Sequence, residues 1–309
     1  MPNWNALLDE ARAVGGSWDV IRKKYLKSLN KLTGRNIIAY YSGWLQKRDI
    51  IPVPNFSGFS LNDSDKNGFM SAIHELDRTK GLDLILHTPG GDMAATESLV
   101  DYLRSMFGTN IRAIIPQLAM SAGTMISCSC NQIIMGKHSS LGPIDPQFGG
   151  LPAHGIIEEF NRAKQEIQAT PILAHLWQPI IAKYSPALLG ECDKAVRWAE
   201  DIVKEWLITG MFSADGNPDE KATRVIQELG DHALTKSHSR HISIKKASEI
   251  GLNVVSLEDN GKLQDAVLTI HHAFIQSLAE TPAVKIIENH NGITYVQAFQ
   301  VMQARQFTH

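Results

Sequence analysis

The chain has 309 residues, of which 43% are hydrophobic and 20% charged, and its formal net charge is −2. This composition is typical of a globular protein with a large core, and it gives no general attraction to nucleic acid or anionic membranes. No apolar run reaches the roughly 18 residues of a membrane-spanning helix, and the first residues lack a signal peptide's basic start and apolar run. Three cysteines, an odd and sparse number, favour a reducing compartment over a disulfide framework. We therefore expect a cytoplasmic protein without a transmembrane segment.

The first half of the chain alternates predicted strands and helices. In chain order we predict helices over 5–15 and 18–32, a strand over 35–45, a helix over 61–81, a strand over 82–88, a helix over 95–108, a strand over 110–119, a helix beginning near 120 and a strand over 131–136. The helices have apolar residues at helical spacing, whereas the strands are short apolar runs bounded by turn residues. Strand–turn–helix units repeated in this way indicate parallel crossovers, and hence an α/β layered fold.

The second half of the chain is richer in helical pattern and contains no internal repeat. We predict helices within 155–210, an exposed polar loop over 211–223, a helix and then a strand within 243–259, a helix over 263–278 and a strand over 283–289. Three tryptophans of this half, Trp177, Trp198 and Trp206, lie among aliphatic residues at roughly helical spacing. That pattern indicates core or subunit interface rather than a platform for nucleic-acid bases.

Two glycine-rich turns, "HTPGGD" at 87–92 and "AMSAGT" at 119–124, each follow a predicted buried strand. Loops at the carboxyl ends of neighbouring parallel strands meet in one crevice, so we expect the two turns to form one site. Gly90 and Gly91 let backbone N–H groups approach a ligand, and Ser121 at a helix start has a partly positive surrounding. The N–H groups of Gly91 and Ala122 together would make an oxyanion hole, in which each donor contributes roughly 3–4 kcal/mol to acyl transfer. Either turn alone is commonly a simple turn or close helix packing, but the pair favours a site.

The segments "LILHTPGGD", "AMSAGTMIS" and "GPIDPQFGG" resemble the serine dehydrogenase proteinase family, a relative of signal peptide peptidase A, and more distantly the Clp protease proteolytic subunit. The resemblance covers roughly residues 35–260 and includes "SHSRHISIKKASEIGL". It implies a ClpP/crotonase-like α/β fold of repeated ββα units with a parallel sheet, a nucleophile at Ser121, an oxyanion hole at Gly91 and Ala122 beside Gly90, and a homo-oligomer. The family name records a serine dehydratase association, but no lysine-bearing pyridoxal phosphate motif is present, so we expect no cofactor.

This resemblance divides the chain into three parts. We expect an N-terminal helical extension over 1–34, a ClpP/crotonase-like protease domain over 35–260 and a C-terminal extension over 261–309. Within the protease domain, residues 155–235 are expected to be a helical insertion that forms the subunit interface and a lid.

Three possibilities are open for the base that activates Ser121. The Clp relative has a histidine about twenty-five residues after its serine, but in this sequence Asp145 stands at or near that point. A triad with exchanged roles would use His238 as base and Asp145 as its orienting carboxylate; we prefer His238 to His241 because the family pattern has a Ser/Thr-His pair there. A Ser–Lys dyad would use Lys164, although its helix pattern is that of a solvated lysine. In the third possibility no base is present and the site is inactive.

The remaining histidine and cysteine motifs lack a metal-site pattern. The two histidines of "HSRH" and the pair His271 and His272 have no partners at zinc-ligand spacing, the C-x-C of Cys128 and Cys130 is typical of core filling, and His138 is predicted in a surface turn. We therefore expect no metal and no nucleic-acid partner.

The sequence predicts a cytoplasmic serine endopeptidase that binds a peptide or protein as an extended strand. The alternatives are a crotonase-type acyl-CoA enzyme and an inactive peptide-binding scaffold.

Overall fold

The structure is a computed structural model, and it describes residues 4–47, 56–230 and 240–299. Its first helices and strands are α1 (Trp4–Ala13), α2 (Trp18–Thr33), β1 (Asn36–Ser42), α3 (Trp44–Lys47), α4 (Asp65–Ile73), β2 (Leu82–His87), α5 (Met93–Phe107), β3 (Ile111–Ile115), β4 (Leu118–Ala119), α6 (Ala122–Ser129), β5 (Gln132–Met135) and β6 (Ser140–Leu141). Those that follow are β7 (Gln147–Phe148), β8 (Leu151–Pro152), α7 (Ala153–Ala169), α8 (Ala174–Ile181), α9 (Leu188–Thr209), α10 (Pro218–Gly230), β9 (Ile242–Ser243), α11 (Ile244–Glu249), β10 (Val254–Ser256), α12 (Gly261–Glu280), β11 (Ala283–Asn289) and β12 (Thr294–Ala298). Short 3₁₀ helices span Ser57–Phe59, Arg78–Lys80, Pro171–Leu173 and Leu257–Asp259.

A seven-stranded sheet in the order β10-β5-β3-β2-β1-β11-β12 forms the centre of the fold. The first five of these strands run parallel, and β11 lies antiparallel between β1 and β12. This mostly parallel sheet with helices on its faces confirms the predicted α/β fold. Because β2 and β3 are neighbours, the segments that follow them leave the sheet at the same edge.

The two faces of the sheet are covered by different helices. Ile38 and Leu84 point to the face where α4, α5 and α6 pack, whereas Ile37 and Ile85 point to the face covered by α2 and α12. Every residue of β1 and β2 is buried, because alternate side chains enter cores on opposite sides. This burial explains why the sequences of both strands are mainly apolar; the buried Asp83 of β2 is the charged exception.

The helical insertion is tied to the main core by α9, which has 22 residues. Near its start, Cys192 and Val196 pack with residues of α7 in a separate small cluster. Nearer its end, Val203 and Trp206 belong to the large core under the sheet. The insertion is therefore anchored to the main core through α9, and also through α10, whose buried residues belong to the same cluster.

Two sequence predictions about element boundaries are wrong. The predicted loop over 211–223 is wrong in its second part, because α10 begins at Pro218 and carries Asp219 and Glu220 in its first turn. A proline at the first helical position and acidic residues in the first turn are favourable at a helix start. The predicted helix over 61–81 is also too long, since α4 ends at Ile73.

The segment after residue 260, which we expected as an extension, supplies part of the central sheet. Its helix α12 packs on α2, and its strand β11 pairs antiparallel with β1 in a register that places Lys285 opposite Ser42. Strand β12 then pairs with β11 at the edge. The described part of this segment therefore completes the sheet on the side away from β10.

Candidate active site

The loop after β2 and the loop after β4 lie side by side at the edge of the sheet. The N–H of Thr88 donates to the carbonyl of Leu118 at 3.0 Å, and the N–H of Met120 donates to the carbonyl of Thr88 at 3.0 Å. These two bonds form a parallel bridge between Thr88 and Ala119. Both glycine-rich turns of the sequence therefore leave this bridge together, one toward Gly90 and the other toward Ser121.

Ser121 occupies a strained turn between β4 and α6. Its backbone angles are φ 49° and ψ −113°, and the N–H of Gly123 donates to the carbonyl of Met120 at 2.8 Å, which closes a β-turn around it. These angles are close to those of the first central residue of a type II′ turn, a position that glycine normally occupies. A side chain held there costs of order 1–3 kcal/mol, and such strain is concentrated at functional sites. A serine on a strained strand-to-helix turn is also the arrangement of the nucleophile in α/β-hydrolases.

Gly90 and Gly91 are required by close backbone approach. A Cβ atom on Gly90, whose φ is 103°, would lie 2.7 Å from the Cβ of Ser121. A Cβ atom on Gly91 would lie 2.3 Å from both the N and the O atom of Leu61. Glycine therefore allows the Pro-Gly-Gly turn to fit between Ser121 on one side and the backbone of Leu61 on the other.

Two backbone N–H groups beside Ser121 are available to a ligand. The N–H of Leu61 donates to the carbonyl of Gly90 at 2.8 Å and the N–H of Asp92 donates to the carbonyl of Leu61 at 2.9 Å, so the polar groups of Gly91 point away from Leu61. Within residues 4–47, 56–230 and 240–299, neither the N–H of Gly91 nor that of Ala122 donates a hydrogen bond. The N–H of Gly90 donates to Oγ1 of Thr88 at 3.1 Å, so Gly90 supplies close approach rather than a free donor.

Ser121 lines a cavity of about 540 Å³, together with Pro89 to Ala94 from the first loop and the start of α5. Met125, Ile144 and Trp198 form apolar parts of its wall, and Ser60 contributes a polar part. Trp198 is 38% exposed, whereas Trp177 and Trp206 are each 4% exposed. Of the three tryptophans predicted as core or interface, Trp198 thus faces the cavity. Helical spacing alone could not distinguish it from the other two.

The candidate bases lie in different surroundings. Asp145 is 2% exposed, between Ile144 and Pro146, which both line the cavity. Lys164 is exposed on α7 and does not line the cavity. His238 lies outside the described residues. His241 is exposed and directly precedes β9.

The chain reaches β9 from the side of Ser121. Strand β6 runs parallel to β4, with Leu141 opposite Ala119, and β9 runs antiparallel to β6, with Ile242 opposite Leu141. Residues that precede Ile242 in β9 therefore lie at the same end of this small sheet as Ser121, which follows Ala119. Arg240, the first described residue of this stretch, enters at that end.

Two threonines that were not among the predicted site residues fix the turn that carries Ser121. Thr88 provides both the bridge to Ala119 and the acceptor for Gly90. Oγ1 of Thr124 donates at 2.9 Å to the carbonyl of Ala119 and accepts at 2.9 Å from the N–H of Gly142. Their position within two residues of Gly90 and Gly123 was the sequence signal that could have indicated a role in shaping the turns.

Among the described residues, the three cysteines and two of the histidines, His87 and His271, are buried in the core. His87 is fully buried, and burial lowers its pKa to about 3, while the ring of His271 lies 5.2 Å from the ring of His87. Cys128 and Cys130 are buried, which raises the pKa of each thiol to about 12. His138 is exposed, and its Nε2 lies 2.9 Å from the carbonyl oxygen of Pro116. Among the residues described, no three or more His, Cys, Asp or Glu side chains come together in an arrangement for a metal ion.

Within the same described ranges, no helix is both long and apolar enough to cross a bilayer.

In the described part of the chain, a mostly parallel α/β sheet thus presents Ser121 at a strained turn beside two amide groups that donate no hydrogen bond, an arrangement suited to a serine hydrolase. The chain belongs to the family of ClpP-like SDH-type serine proteinases, whose family model matches residues 17–292. This family is one of hydrolases, and its match confirms the resemblance identified from "LILHTPGGD", "AMSAGTMIS" and "GPIDPQFGG".

Relatives of the chain include two uncharacterised proteins of Methanocaldococcus jannaschii. One is 26% identical over 266 residues, which cover 86% of this chain and 80% of the relative. The other is 31% identical over 204 residues, which cover 65% of this chain and 62% of the relative. Among solved structures, a mutant of a membrane-bound stomatin-specific protease is similar with a TM-score of 0.40 and 16% identity, over 66% of this chain and 78% of that one.

Proposed function

We propose that this protein is a serine peptidase that hydrolyses peptide bonds through an acyl-enzyme on Ser121. The observation that carries the proposal is the position of Ser121 on a strained turn, at the wall of a cavity, beside the N–H groups of Gly91 and Ala122, which donate to no other described residue. A hydroxyl flanked by two preorganised donors is what acyl transfer requires, because negative charge develops on the carbonyl oxygen in the transition state.

The reaction proceeds in two balanced steps. The Oγ of Ser121 bonds to the carbonyl carbon of the peptide, and its proton passes to the base while the N–H groups of Gly91 and Ala122 hold the oxyanion. The C–N bond then breaks, and the amine leaves with that proton. Water next attacks the ester carbon, gives one proton to the base, and the Oγ–C bond breaks as the proton returns to Ser121.

The substrate is a peptide or protein segment that binds as an extended strand beside Gly91. Because Leu61 occupies one edge of the Gly90–Asp92 segment, the N–H and C=O of Gly91 face the other side, toward the cavity. An unpaired strand edge recruits an extended peptide through main-chain hydrogen bonds. Met125 and Trp198 then offer apolar contact to a substrate side chain.

His238 is our proposed base and Asp145 its orienting carboxylate. The burial of Asp145 beside the cavity and the entry of the chain at Arg240, at the Ser121 end of β9, support this arrangement. Lys164 is exposed, and a lysine acts as a base near neutral pH only where burial lowers its pKa. The Ser–Lys dyad therefore has less support than the triad.

A fluorophosphonate probe tests the nucleophile. In the labelling reaction the Oγ–P bond forms, the P–F bond breaks and fluoride leaves, so labelling needs an activated serine. We expect labelling of the wild type and none of Ser121→Ala. The control is Ser127→Ala, because the Ser127 hydroxyl is buried in α6 and donates to the carbonyl of Gly123. Labelling that persists in Ser121→Ala would refute the proposal.

The same probe separates the candidate bases. Removal of a general base costs about 10²- to 10⁴-fold in rate, so His238→Ala is expected to label at least about 100-fold more slowly than wild type. His241→Ala and Lys164→Ala serve as matched controls with rates near that of the wild type. If Lys164→Ala alone abolished labelling, the triad would be wrong and the dyad correct.

The two alternative functions give different results in simple experiments. A crotonase-type enzyme would bind coenzyme A, which a calorimetric titration detects. An inactive scaffold would bind peptides but take no label in the wild type or any variant. Neither outcome is compatible with the peptidase.

We also propose that the protein is a cytoplasmic homo-oligomer that uses its helical insertion as an interface. The insertion carries large apolar side chains on its surface, with Ile172 67% and Leu176 60% exposed. Exposed apolar side chains that lie close together are typical of interaction sites. Size-exclusion chromatography with light scattering should give a mass well above the 34.2 kDa of one chain, and a purely monomeric peak would refute the interface.

The free cysteines Cys128 and Cys192 support a reducing compartment, which cell fractionation can test.

A further inference from the structure

A buried ion pair lies beneath the segment that flanks the Pro-Gly-Gly turn. The ammonium of Lys285, on β11, donates to Oδ1 of Asp65 at 2.7 Å and to Oδ2 at 2.8 Å. Each of these two residues is 1% exposed. The Asp65 carboxylate also accepts from the hydroxyl of Tyr40 at 3.1 Å and from Nε2 of Gln297 at 3.3 Å. Strands β1, β11 and β12 therefore all contribute to holding one carboxylate at the start of α4.

The ion pair holds the backbone on both sides of Leu61. Nζ of Lys285 donates its third hydrogen bond to the carbonyl of Ser60 at 2.9 Å, and Oδ2 of Asp65 accepts from the N–H of Asn62 at 3.0 Å. Leu61 itself is bonded to the carbonyl of Gly90 and to the N–H of Asp92. The chain of contacts thus runs from Lys285 and Asp65, through Leu61, to the peptide groups on either side of Gly91.

The role of Lys285 is not that of a base. An ammonium has three donors, and all three are used by Asp65 and the Ser60 carbonyl. None is left for the Ser121 hydroxyl. The ion pair also contributes little net free energy to folding, because desolvating two charges costs several kcal/mol per ion. Proteins in which apolar residues replace a buried ion pair are often as stable or more stable. A conformational role accounts better for its position.

We propose that Lys285 and Asp65 are positioning residues for the oxyanion hole: they fix the Ser60–Asn62 backbone, which in turn sets the direction of the Gly91 N–H. This inference rests on the proposed function, in which that N–H stabilises the transition state. A displacement of about 1 Å in a catalytic group is enough to cost about 100-fold in rate. Loss of the ion pair should therefore reduce catalysis even where the protein remains folded.

The test compares Lys285→Met with a matched control, Arg22→Met. Arg22 forms the other buried ion pair of β11, with its Nε 2.7 Å from Oε2 of Glu288, and side-chain exposures of 2% and 0%. Glu288 lies an odd number of positions from Lys285, so it points to the opposite face of the sheet, toward α2. Both variants break a buried pair and should lose comparable stability. We expect Lys285→Met to reduce the fluorophosphonate labelling rate about 10- to 100-fold and Arg22→Met to change it less than twofold.

A double variant separates positioning from stability. Asp65→Asn with Lys285→Met removes both charges and keeps an acceptor for Asn62, so its resistance to urea should recover toward that of the wild type. The Ser60 carbonyl still lacks its bond from Lys285, although Nδ2 of Asn62 donates to it at 3.1 Å, so labelling should stay at least about 10-fold slow. Recovery of labelling in step with stability would overturn the inference, and so would equal labelling losses in Lys285→Met and Arg22→Met.

Amide hydrogen exchange tests the positioning role independently of the proposed peptidase activity. The Leu61 and Asp92 amides, which form the two bonds of the bridge, should exchange faster in the double variant and at the wild-type rate in Arg22→Met. If the wild type takes no label, the proposed function fails, and this exchange still decides whether the ion pair holds the loop. Unchanged exchange at Leu61 and Asp92 would refute positioning whatever the labelling shows.

Discussion

Replacing Ser121 by glycine should stabilise the protein relative to replacing it by alanine. Alanine removes the hydroxyl but keeps a Cβ atom at φ 49° and ψ −113°, whereas glycine also removes the strain. The strain is of order 1–3 kcal/mol, and the greater freedom of glycine in the unfolded chain offsets about 0.4–1 kcal/mol of the gain. We therefore expect Ser121→Gly to unfold with a free energy about 1–2 kcal/mol higher than Ser121→Ala.

Urea denaturation of the two variants measures this difference as a shift in midpoint at constant slope. The matched control compares Ser71→Gly with Ser71→Ala. Ser71 is exposed in α4, and its hydroxyl lies 3.0 Å from the carbonyl oxygen of Asn67. At this helical position Gly should be less stable than Ala by about 0.5–1 kcal/mol, so the sign of the difference is reversed. If Ser121→Gly were no more stable than Ser121→Ala, the turn would carry no strain. The conformation of residue 121 would then give no support to its role as a nucleophile.

Two further predictions concern Gly91 and His87. Gly91→Ala places a Cβ atom 2.3 Å from the Leu61 backbone and should slow labelling at least about 10-fold, whereas Gly190→Ala, which meets nothing within 4 Å, should label normally. Since burial lowers the pKa of His87 from 6.5 to about 3, the unfolded chain binds a proton first, and stability present above pH 6.5 is lost as the pH falls toward 3. Between pH 7 and pH 5, the loss of unfolding free energy measured in urea should be about 2 kcal/mol smaller in His87→Phe than in the wild type, and unchanged in the exposed His74→Gln. An unchanged pH dependence in His87→Phe would show that another group is responsible.

The features that the sequence predicted are those with local signals. The apolar strands and the glycines at 90 and 91 are visible in short windows, because burial on both faces and close backbone approach each restrict the residue types nearby. The helix start at Pro218 also had a local signal in Pro218, Asp219 and Glu220, but the polar composition of 211–223 concealed it. Composition was a poorer guide there than the position of each residue relative to the helix end.

The features that the sequence did not predict depend on contacts between distant parts of the chain. Lys285 and Asp65 are 220 positions apart, and nothing in either neighbourhood indicates an ion pair. In β11, Lys285, Glu288 and Asn289 are as buried as the aliphatic residues beside them, although their polar side chains alone would suggest exposure. Burial of this kind follows from partners elsewhere in the fold, which periodicity cannot show.

A strained residue persists only where its surroundings determine its conformation more strongly than its own preference does. For Ser121 those surroundings are two restraints on β4: Thr88 bonds its backbone from one side, and Thr124 bonds the carbonyl of Ala119 and the peptide at Gly142 on the other. Helix α6 adds a third restraint, since all eight of its residues are buried and cannot shift to relieve the turn. Because the serine cannot relax, its position relative to the Gly91 N–H depends on how firmly the opposite loop is held. That requirement explains why a buried ion pair is retained beneath Leu61, where an apolar pair would stabilise the fold as well.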